Sequence, residues 1–238
     1  MNSFHLPLII IVSAPSGSGK STLVNKLVAV VPDLDFSISY TTRAPRGLEQ
    51  NGKQYHFISR VEFEQMIAAD EFLEYARVFS RDGDYYGTAK VFLREAEQNN
   101  HDLLLDIDVQ GAKQIKQKLP SAVSIFVLPP NRKTLELRLR SRGEDSDTVI
   151  QRRLDAATRE IENYDRYDYI LINDRIEDSC EKLCAIVLSE RHSRSDMPAS
   201  EEFRKFQVLA DSCRLANVRE KVQPILASFS VPAPSARS

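Results

Sequence analysis

Leu8-Ile9-Ile10-Ile11-Val12, followed by Ala14-Pro15-Ser16-Gly17-Ser18-Gly19-Lys20-Ser21-Thr22, is the stretch that decides the fold. The first five residues are a short β-branched apolar run, the mark of a strand buried on both faces of a parallel sheet. From Thr22 to Val31 the apolar residues Leu23, Leu27 and Val30 recur at helical spacing. Between strand and helix the chain must turn sharply, and glycines at 17 and 19 permit backbone angles and close approach that a Cβ would block. The segment matches Gly-x-x-x-x-Gly-Lys-[Ser/Thr] except at its first position, where Ala14 stands for Gly. A helix N-terminus with free N–H groups and a favourable dipole receives phosphate there. Ala14 through Thr22 is therefore the expected ATP-binding segment, with Lys20 reaching the terminal phosphates and the Ser21 hydroxyl ligating Mg²⁺. The plainer reading is a Gly/Ser turn before an ordinary helix.

The same alternation continues down the chain. Strands are expected at 103–107, 123–128 and 169–172, and helices near 61–69, 89–99, 109–118, 132–141, 147–165 and 176–191. Strands separated by helices imply an α/β fold: a parallel sheet covered by helices on both faces, with ligands beyond the strand C-termini. Two stretches break the pattern. Residues 37 to about 88 are rich in Tyr, Arg, Thr and Gly, and suggest a small β-rich insert with a polar pocket. Residues 138–153 cluster Arg138, Arg140, Arg142, Arg152 and Arg153 around Gly143, an arginine-bearing flap between two helices.

Composition limits the function classes. The chain has 238 residues, enough for one α/β domain with insertions, and a net charge of −2 that makes no global case for nucleic acid or membrane. No signal peptide or spanning segment is legible, and three cysteines make neither a disulfide framework nor a zinc site; a cytoplasmic setting is expected. Cys180 and Cys184, one helical turn apart, read as packed thiols. From Arg191 onward eight basic and five acidic residues give a net +3. There a polar linker precedes one expected helix, 201–222, with Val208, Leu215, Val218 and Val222 on a stripe and Pro224 ending it. Disorder is expected from Phe229.

Taken in order, the motifs become recognisable. After the phosphate loop come Ser39-Tyr40-Thr41-Thr42-Arg43-Ala44-Pro45-Arg46, Asn51-Gly52-Lys53-Gln54-Tyr55-His56-Phe57, Glu71-Phe72-Leu73-Glu74-Tyr75, Tyr85-Tyr86-Gly87-Thr88 and Leu105-Asp106-Ile107-Asp108-Val109-Gln110-Gly111. Arg138-Leu139, Arg142-Gly143-Glu144 and Arg153-Leu154 close the series, which over about residues 6 to 190 resembles the guanylate kinases. That resemblance implies ATP-dependent phosphorylation of GMP, and of dGMP, to the diphosphate in purine nucleotide metabolism. It implies a core at 1–38, 89–131 and 157–191, a GMP-binding insert at 39–88 and a lid at 132–156; the extension at 192–238 lies outside the resemblance. By similarity Ser39, Arg43, Arg46, Tyr55 and Tyr86 would hold the GMP phosphate. Glu74, Thr88 and Asp106 would read guanine, and Arg138, Arg142 and Arg153 would close over the transferring phosphates as catalytic residues beside Lys20. Mg²⁺ with ATP would be held at Ser21 and Asp108, with Asp106 or Asp108 orienting the acceptor or the hydrated metal. Partners would be ATP and GMP, without nucleic acid or membrane, in a monomer or homodimer.

Residue chemistry agrees. Arg43 and Arg46 can present planar forks to a phosphate dianion. A carboxylate suits guanine, whose N1–H and exocyclic amine are adjacent donors, and refuses adenine, whose N1 is an acceptor. Duller readings stand beside each assignment: solvated arginines, core tyrosines (favoured for Tyr85), and helix N-caps for Asp106 and Asp108. Two departures from the family are visible. The run from Ala76 to Asp84 is long and could shift Tyr86 and Thr88, and Glu144 stands where the family often has Thr. Competing activities are a ribose bisphosphate kinase, a kinase for other nucleoside monophosphates, and a scaffold domain that binds phosphopeptides. Glu74 and Asp106 argue against the first two, and the intact loop and flap against the third.

Overall fold

Four apolar runs, at 9–12, 103–105, 123–128 and 169–171, become buried strands of one sheet, and the helices that bury them carry apolar residues at helical spacing. A computed structural model describes residues 6–77, 83–141, 143, 145–195, 198 and 200–230. In chain order the elements are β1 (Ile9–Ser13), α1 (Lys20–Val30), β2 (Leu34–Phe36), β3 (Tyr40–Thr41), β4 (His56–Phe57), α2 (Arg60–Ala68), β5 (Phe72–Arg77), β6 (Tyr85–Ala89) and α3 (Lys90–Asn99). There follow β7 (Asp102–Asp106), α4 (Val109–Lys118), β8 (Val123–Leu128), α5 (Arg132–Arg140), α6 (Asp147–Ile161), β9 (Tyr169–Ile172), α7 (Ile176–Ser193), α8 (Glu201–Asp211) and α9 (Leu215–Ser230). A single 3₁₀ turn, Tyr164–Arg166, lies between α6 and β9. The main sheet runs β2-β7-β1-β8-β9, with parallel pairing of β2 to β7 and of β8 to β9. Its burial pattern is continuous: every residue of β1 and β8 is buried.

The chain divides into two units, Met1–Ile11 with Val28–Val123, and Val12–Leu27 with Ser124–Ser238. The first holds β2, β7 and a second sheet, β4-β3-β6-β5. In that sheet β5 and β6 pair antiparallel, placing Glu74 opposite Thr88 and Arg77 opposite Tyr85. The long run after Ala76 leaves this register in place; residues 78–82 of it lie outside the described residues. Helix α2 starts with a full capping box, Ser59 Oγ accepting from Glu62 N–H while the Glu62 carboxylate accepts from Ser59 N–H. Its Phe63 stacks on Phe72 and Tyr85, so Tyr85 is a core aromatic. His56 stacks on Tyr40, and His101 pairs with Asp33 and Asp35.

The second unit holds the phosphate loop, β8, β9 and α5 to α9. Here the C-terminal stretch departs from the sequence expectation. Two helices replace the single one expected at 201–222, because residues 213–215 are drawn onto the free edge of β9. Ile170 N–H donates to Cys213 O at 2.8 Å, and Leu215 N–H donates to Asp168 O at 3.1 Å. Pairing an exposed sheet edge outweighs one continuous helix. Val208 is correspondingly exposed rather than on a buried stripe. Pro224 does not end the helix but lies inside α9. A proline there removes one backbone bond, while Val218, Val222, Ile225 and Phe229 are all buried by the same helix. The disorder expected from Phe229 fails for Phe229 and Ser230; residues 231–238 lie outside the described residues. Among the described residues no helix is long and apolar enough to cross a membrane.

Candidate active site

The phosphate loop is shaped by two glycines with positive φ, +91° at Gly17 and +90° at Gly19. Both are also pressed by neighbours. A Cβ on Gly17 would meet Leu139 Cδ2 at 2.8 Å, and one on Gly19 would meet Asn173 Nδ2 at 2.4 Å. Ala14 has a negative φ, so its Cβ costs nothing in the position where the pattern has glycine. Ser18 N–H donates to Pro15 O at 3.1 Å, which tightens the loop before α1 begins at Lys20. Ser21 and Thr22 are exposed on the first turn.

Residues distant in sequence meet this loop. Asn173, buried at the end of β9, donates from Nδ2 to Ser18 O at 2.7 Å. Arg138, on α5, donates to Ser18 O at 3.4 Å and to Asn173 O at 3.0 Å. Arg153, on α6, is ion-paired with Asp145 and donates to Ser16 Oγ at 2.6 Å. Two expected flap arginines thus reach the loop, and Arg142 lies outside the described residues, as does Glu144. Arg140 pairs with Glu136 and Asp147 on the helix surface, and Arg152 is exposed. Three buried polar atoms here, Ser13 Oγ, Ser18 Oγ and Asn173 Oδ1, have no hydrogen-bond partner among the described residues. Buried polar atoms are ordinarily satisfied; of these three the serine hydroxyls can donate to an anionic oxygen, whereas Asn173 Oδ1 only accepts.

The other cluster lies in the first unit. Arg43 is buried, and its fork is taken by Glu49: Nη1 to Oε2 at 2.8 Å and Nη2 to Oε1 at 3.0 Å. Its Nε donates to Tyr86 Oη at 3.0 Å, Nη1 also donates to Ala44 O at 2.8 Å, and the guanidinium lies over the rings of Tyr55 and Phe57. Glu49 is thereby held below the usual carboxylate range, chiefly by its hydrogen bonds to Arg43. Arg43 therefore does not offer a free fork here, whereas Arg46 is exposed, its backbone N–H donating to the Glu49 carboxylate and its carbonyl accepting from Glu49 N–H. Tyr55 and Tyr86 pack edge to face at 5.7 Å. Burial, then the charges of Tyr86 and Asp106, raise the Tyr55 phenol above its ordinary value, so it stays protonated as a donor. Ser39 is half-buried beside β3, and its carbonyl accepts from His56 N–H.

Glu74 is the most perturbed carboxyl of this cluster. It is only 4% exposed, and Oε1 accepts from Thr88 Oγ at 2.7 Å across the β5–β6 pair. Burial pushes its pKa up to about 7; the Thr88 hydrogen bond opposes this, and the charge of Asp108 adds to it. Asp106 ends β7, half-buried. Asp108 caps α4, its Oδ1 accepting from Gln110 N–H at 2.9 Å and Gly111 N–H at 2.8 Å. The capping reading of Asp108 is thus realised, and its exposed side chain keeps a second oxygen. Sequence reasoning passed over Glu49, Asn173 and Gly111. Asn173 had a signal, a polar residue closing an apolar strand at the sheet's ligand-binding end; the other two had none.

Known proteins resemble this chain. The sequence model of the family described as guanylate kinase matches residues 7–190. A guanylate kinase of Koribacter versatilis is 58% identical over 224 residues, 93% of this chain and 95% of that protein. One from Methylococcus capsulatus is 48% identical over 184 residues, 77% of this chain and 89% of that protein. Among solved structures, the crystal structure of guanylate kinase from Anaplasma phagocytophilum matches with a TM-score of 0.63 at 29% identity, covering 96% of this chain and 98% of that one. With the family model spanning more than half the sequence and relatives this similar along nearly its full length, the chain belongs to the guanylate kinase family.

Proposed function

We propose that the protein transfers the γ-phosphoryl group of ATP to GMP, yielding ADP and GDP. A phosphate oxygen of GMP attacks the γ-phosphorus, and the bond from that phosphorus to the β–γ bridging oxygen breaks. The observation that carries the guanine assignment is the buried Glu74 carboxyl, held by Thr88. In its ionised form it accepts from guanine N1–H and the exocyclic amine, and Asp106 adds a second acceptor. Arg46, Tyr55 and Tyr86 bind the monophosphate, with Ser39 beside them. Arg43 orients Tyr86 and supplies charge, and its fork becomes available where phosphate displaces Glu49.

Residues 14–22 hold the ATP phosphates by backbone N–H groups, Lys20 neutralises them, and Arg138, Arg142 and Arg153 stabilise the charge of the transferring group. Among the described residues no group of three His, Cys, Asp or Glu side chains could hold a metal ion. The donor set fits Mg²⁺ carried by the nucleotide, since this ion keeps its waters and binds through phosphates with one or two protein oxygens. The Ser21 hydroxyl would supply one of these, and Asp108 would orient the hydrated ion through its second oxygen. Held there, Mg²⁺ would supply charge neutralisation for the nucleotide's phosphates. The division into core (1–38, 89–131, 157–191), insert (39–88), lid (132–156) and extension (192–238) belongs to the same proposal.

A coupled assay of ADP release with ATP and Mg²⁺ tests the reading, with GMP compared against AMP, CMP, UMP and ribose 1,5-bisphosphate. GMP-selective turnover is expected. A folded protein that binds GMP without turning it over would point instead to a phosphate-binding module.

A further inference from the structure

The Glu74 carboxyl has one oxygen tied to Thr88 and the other against a helix. A Cβ added at Gly111 would meet Glu74 Oε2 at 2.6 Å and Cδ at 3.0 Å. Gly111 is not among the glycines with positive φ, so its backbone does not need glycine. It sits in the first turn of α4, three residues after the N-cap Asp108, where alanine is the better helix former. The missing side chain is therefore explained by the neighbour and not by the backbone.

We propose that Gly111 is a specificity-determining position: its bare Cα makes the space in which the Glu74 carboxyl stands to read guanine. The idea rests on Glu74 reading guanine and extends it to a residue that would touch no substrate. The helix contributes in two ways at this point. Asp108 fixes the first turn by capping the N–H of Gly111 itself, at 2.8 Å. That cap holds the Cα against Glu74 Oε2, while Thr88 holds Oε1 from the opposite strand. The carboxyl is thus bracketed between a β-strand hydroxyl and a helix Cα, two elements that do not depend on a bound ligand. A new methyl meets the far end of a flexible side chain, so the carboxyl swings away and the backbone stays. The Thr88 hydrogen bond and the aim at the base are both lost.

The test compares Gly111→Ala and Glu74→Gln with the parent protein for GMP, IMP and ATP kinetics, with thermal melting alongside. IMP keeps N1–H and lacks the exocyclic amine, so the GMP-to-IMP preference reports how the carboxyl is aimed. Gly111→Ala is expected to raise KM for GMP about tenfold to hundredfold, the scale of a hydrogen bond to a charged group. The GMP-to-IMP preference should shrink, with KM for ATP within about twofold, a change too small to mark a lost contact. A merely structural role would lower activity with both monophosphates alike. An unchanged GMP-to-IMP preference in Gly111→Ala, with Glu74→Gln impaired for GMP, overturns the assignment of Gly111 and leaves the reading of Glu74 standing. A Glu74→Gln variant that affects GMP and ATP equally overturns the reading itself, and the inference with it. If Gly111→Ala does not fold, the double variant with Glu74→Asp decides, because the shorter acid withdraws from the new methyl. Recovery of the fold supports the collision, and continued misfolding overturns it.

Discussion

In the proposed reading the phosphate loop and the monophosphate cluster bind the same chemical group by opposite means. The loop is nine consecutive residues whose backbone would do the binding, shaped by Gly17 and Gly19 at positive φ. The cluster would be a set of side chains from separate segments: Glu74 and Tyr86 on the paired strands β5 and β6, Arg43 and Arg46 after β3, Tyr55 before β4, and Asp106 at the end of β7. A site made of backbone survives most side-chain changes and fails when its glycines or its lysine change. A site made of side chains depends on each partner that aims another. Glu49 aims Arg43, Arg43 aims Tyr86, and Thr88 aims Glu74.

The largest effect should come from the loop. Lys20→Ala should lower kcat by about a thousandfold, the scale of one preorganised charge on a transferring group, with melting unchanged and GMP still bound. Near-normal turnover in single-turnover kinetics would show that the loop's backbone suffices, and would remove lysine from the comparison.

The cluster should instead be sensitive at a partner that touches no substrate. Glu49→Ala leaves the buried Arg43 guanidinium without its carboxylate and should cost about 2–3 kcal/mol in denaturant unfolding, the low side for a broken buried pair. Saturating GMP should return part of this, since phosphate can pair with the freed fork. An unfolding free energy insensitive to both would mean that Arg43 is already solvated.

Glu74 sharpens the contrast through pH. Its carboxyl is raised from the ordinary 4.5 to about 7 by burial, so the unliganded protein holds this proton up to about pH 7. The native state then binds more protons than the unfolded chain between those two values, and unliganded stability falls as pH rises through that window. Guanine needs the carboxylate, so GMP affinity should fall about tenfold per pH unit below about 7. Titration of the GMP phosphate itself is common to Glu74→Gln and cancels in the comparison. Identical pH profiles of KM for GMP in the two proteins would remove Glu74 from base reading.

The smallest effect should lie in the C-terminal extension. Ser228 Oγ accepts from Arg132 N–H at 3.0 Å where α5, the helix of Arg138, begins. Ser228→Ala should cost about 0.5–1 kcal/mol by thermal melting, as other lost helix caps do. No shift in the melting temperature would show that water replaces the hydroxyl there.

Legibility in the sequence followed the same divide. Strand β1, the loop and α1 were readable because spacing and glycine placement are local facts. Strands β8 and β9 and helix α4 fall at their expected bounds for the same reason: two apolar runs end at Pro129-Pro130 and Asn173-Asp174, and the capping Asp108 opens the helix. The extension was misread because its break at 213–215 answers to the edge of β9, a partner more than forty residues earlier. Pro224 was misread because the propensity of one residue was weighed without the burial of Val222, Ile225 and Phe229 around it.

The sequence by itself determined the alternating α/β plan, the phosphate loop and the ordered motifs that resemble guanylate kinases, because each depends on neighbours within a few residues. Tertiary structure alone decided that Glu49 occupies the Arg43 fork, that Asn173 braces the loop, and that Gly111 must leave room for Glu74. Those are contacts between side chains and backbones far apart in the chain, and their distances follow from strand register and helix placement, which no local pattern encodes.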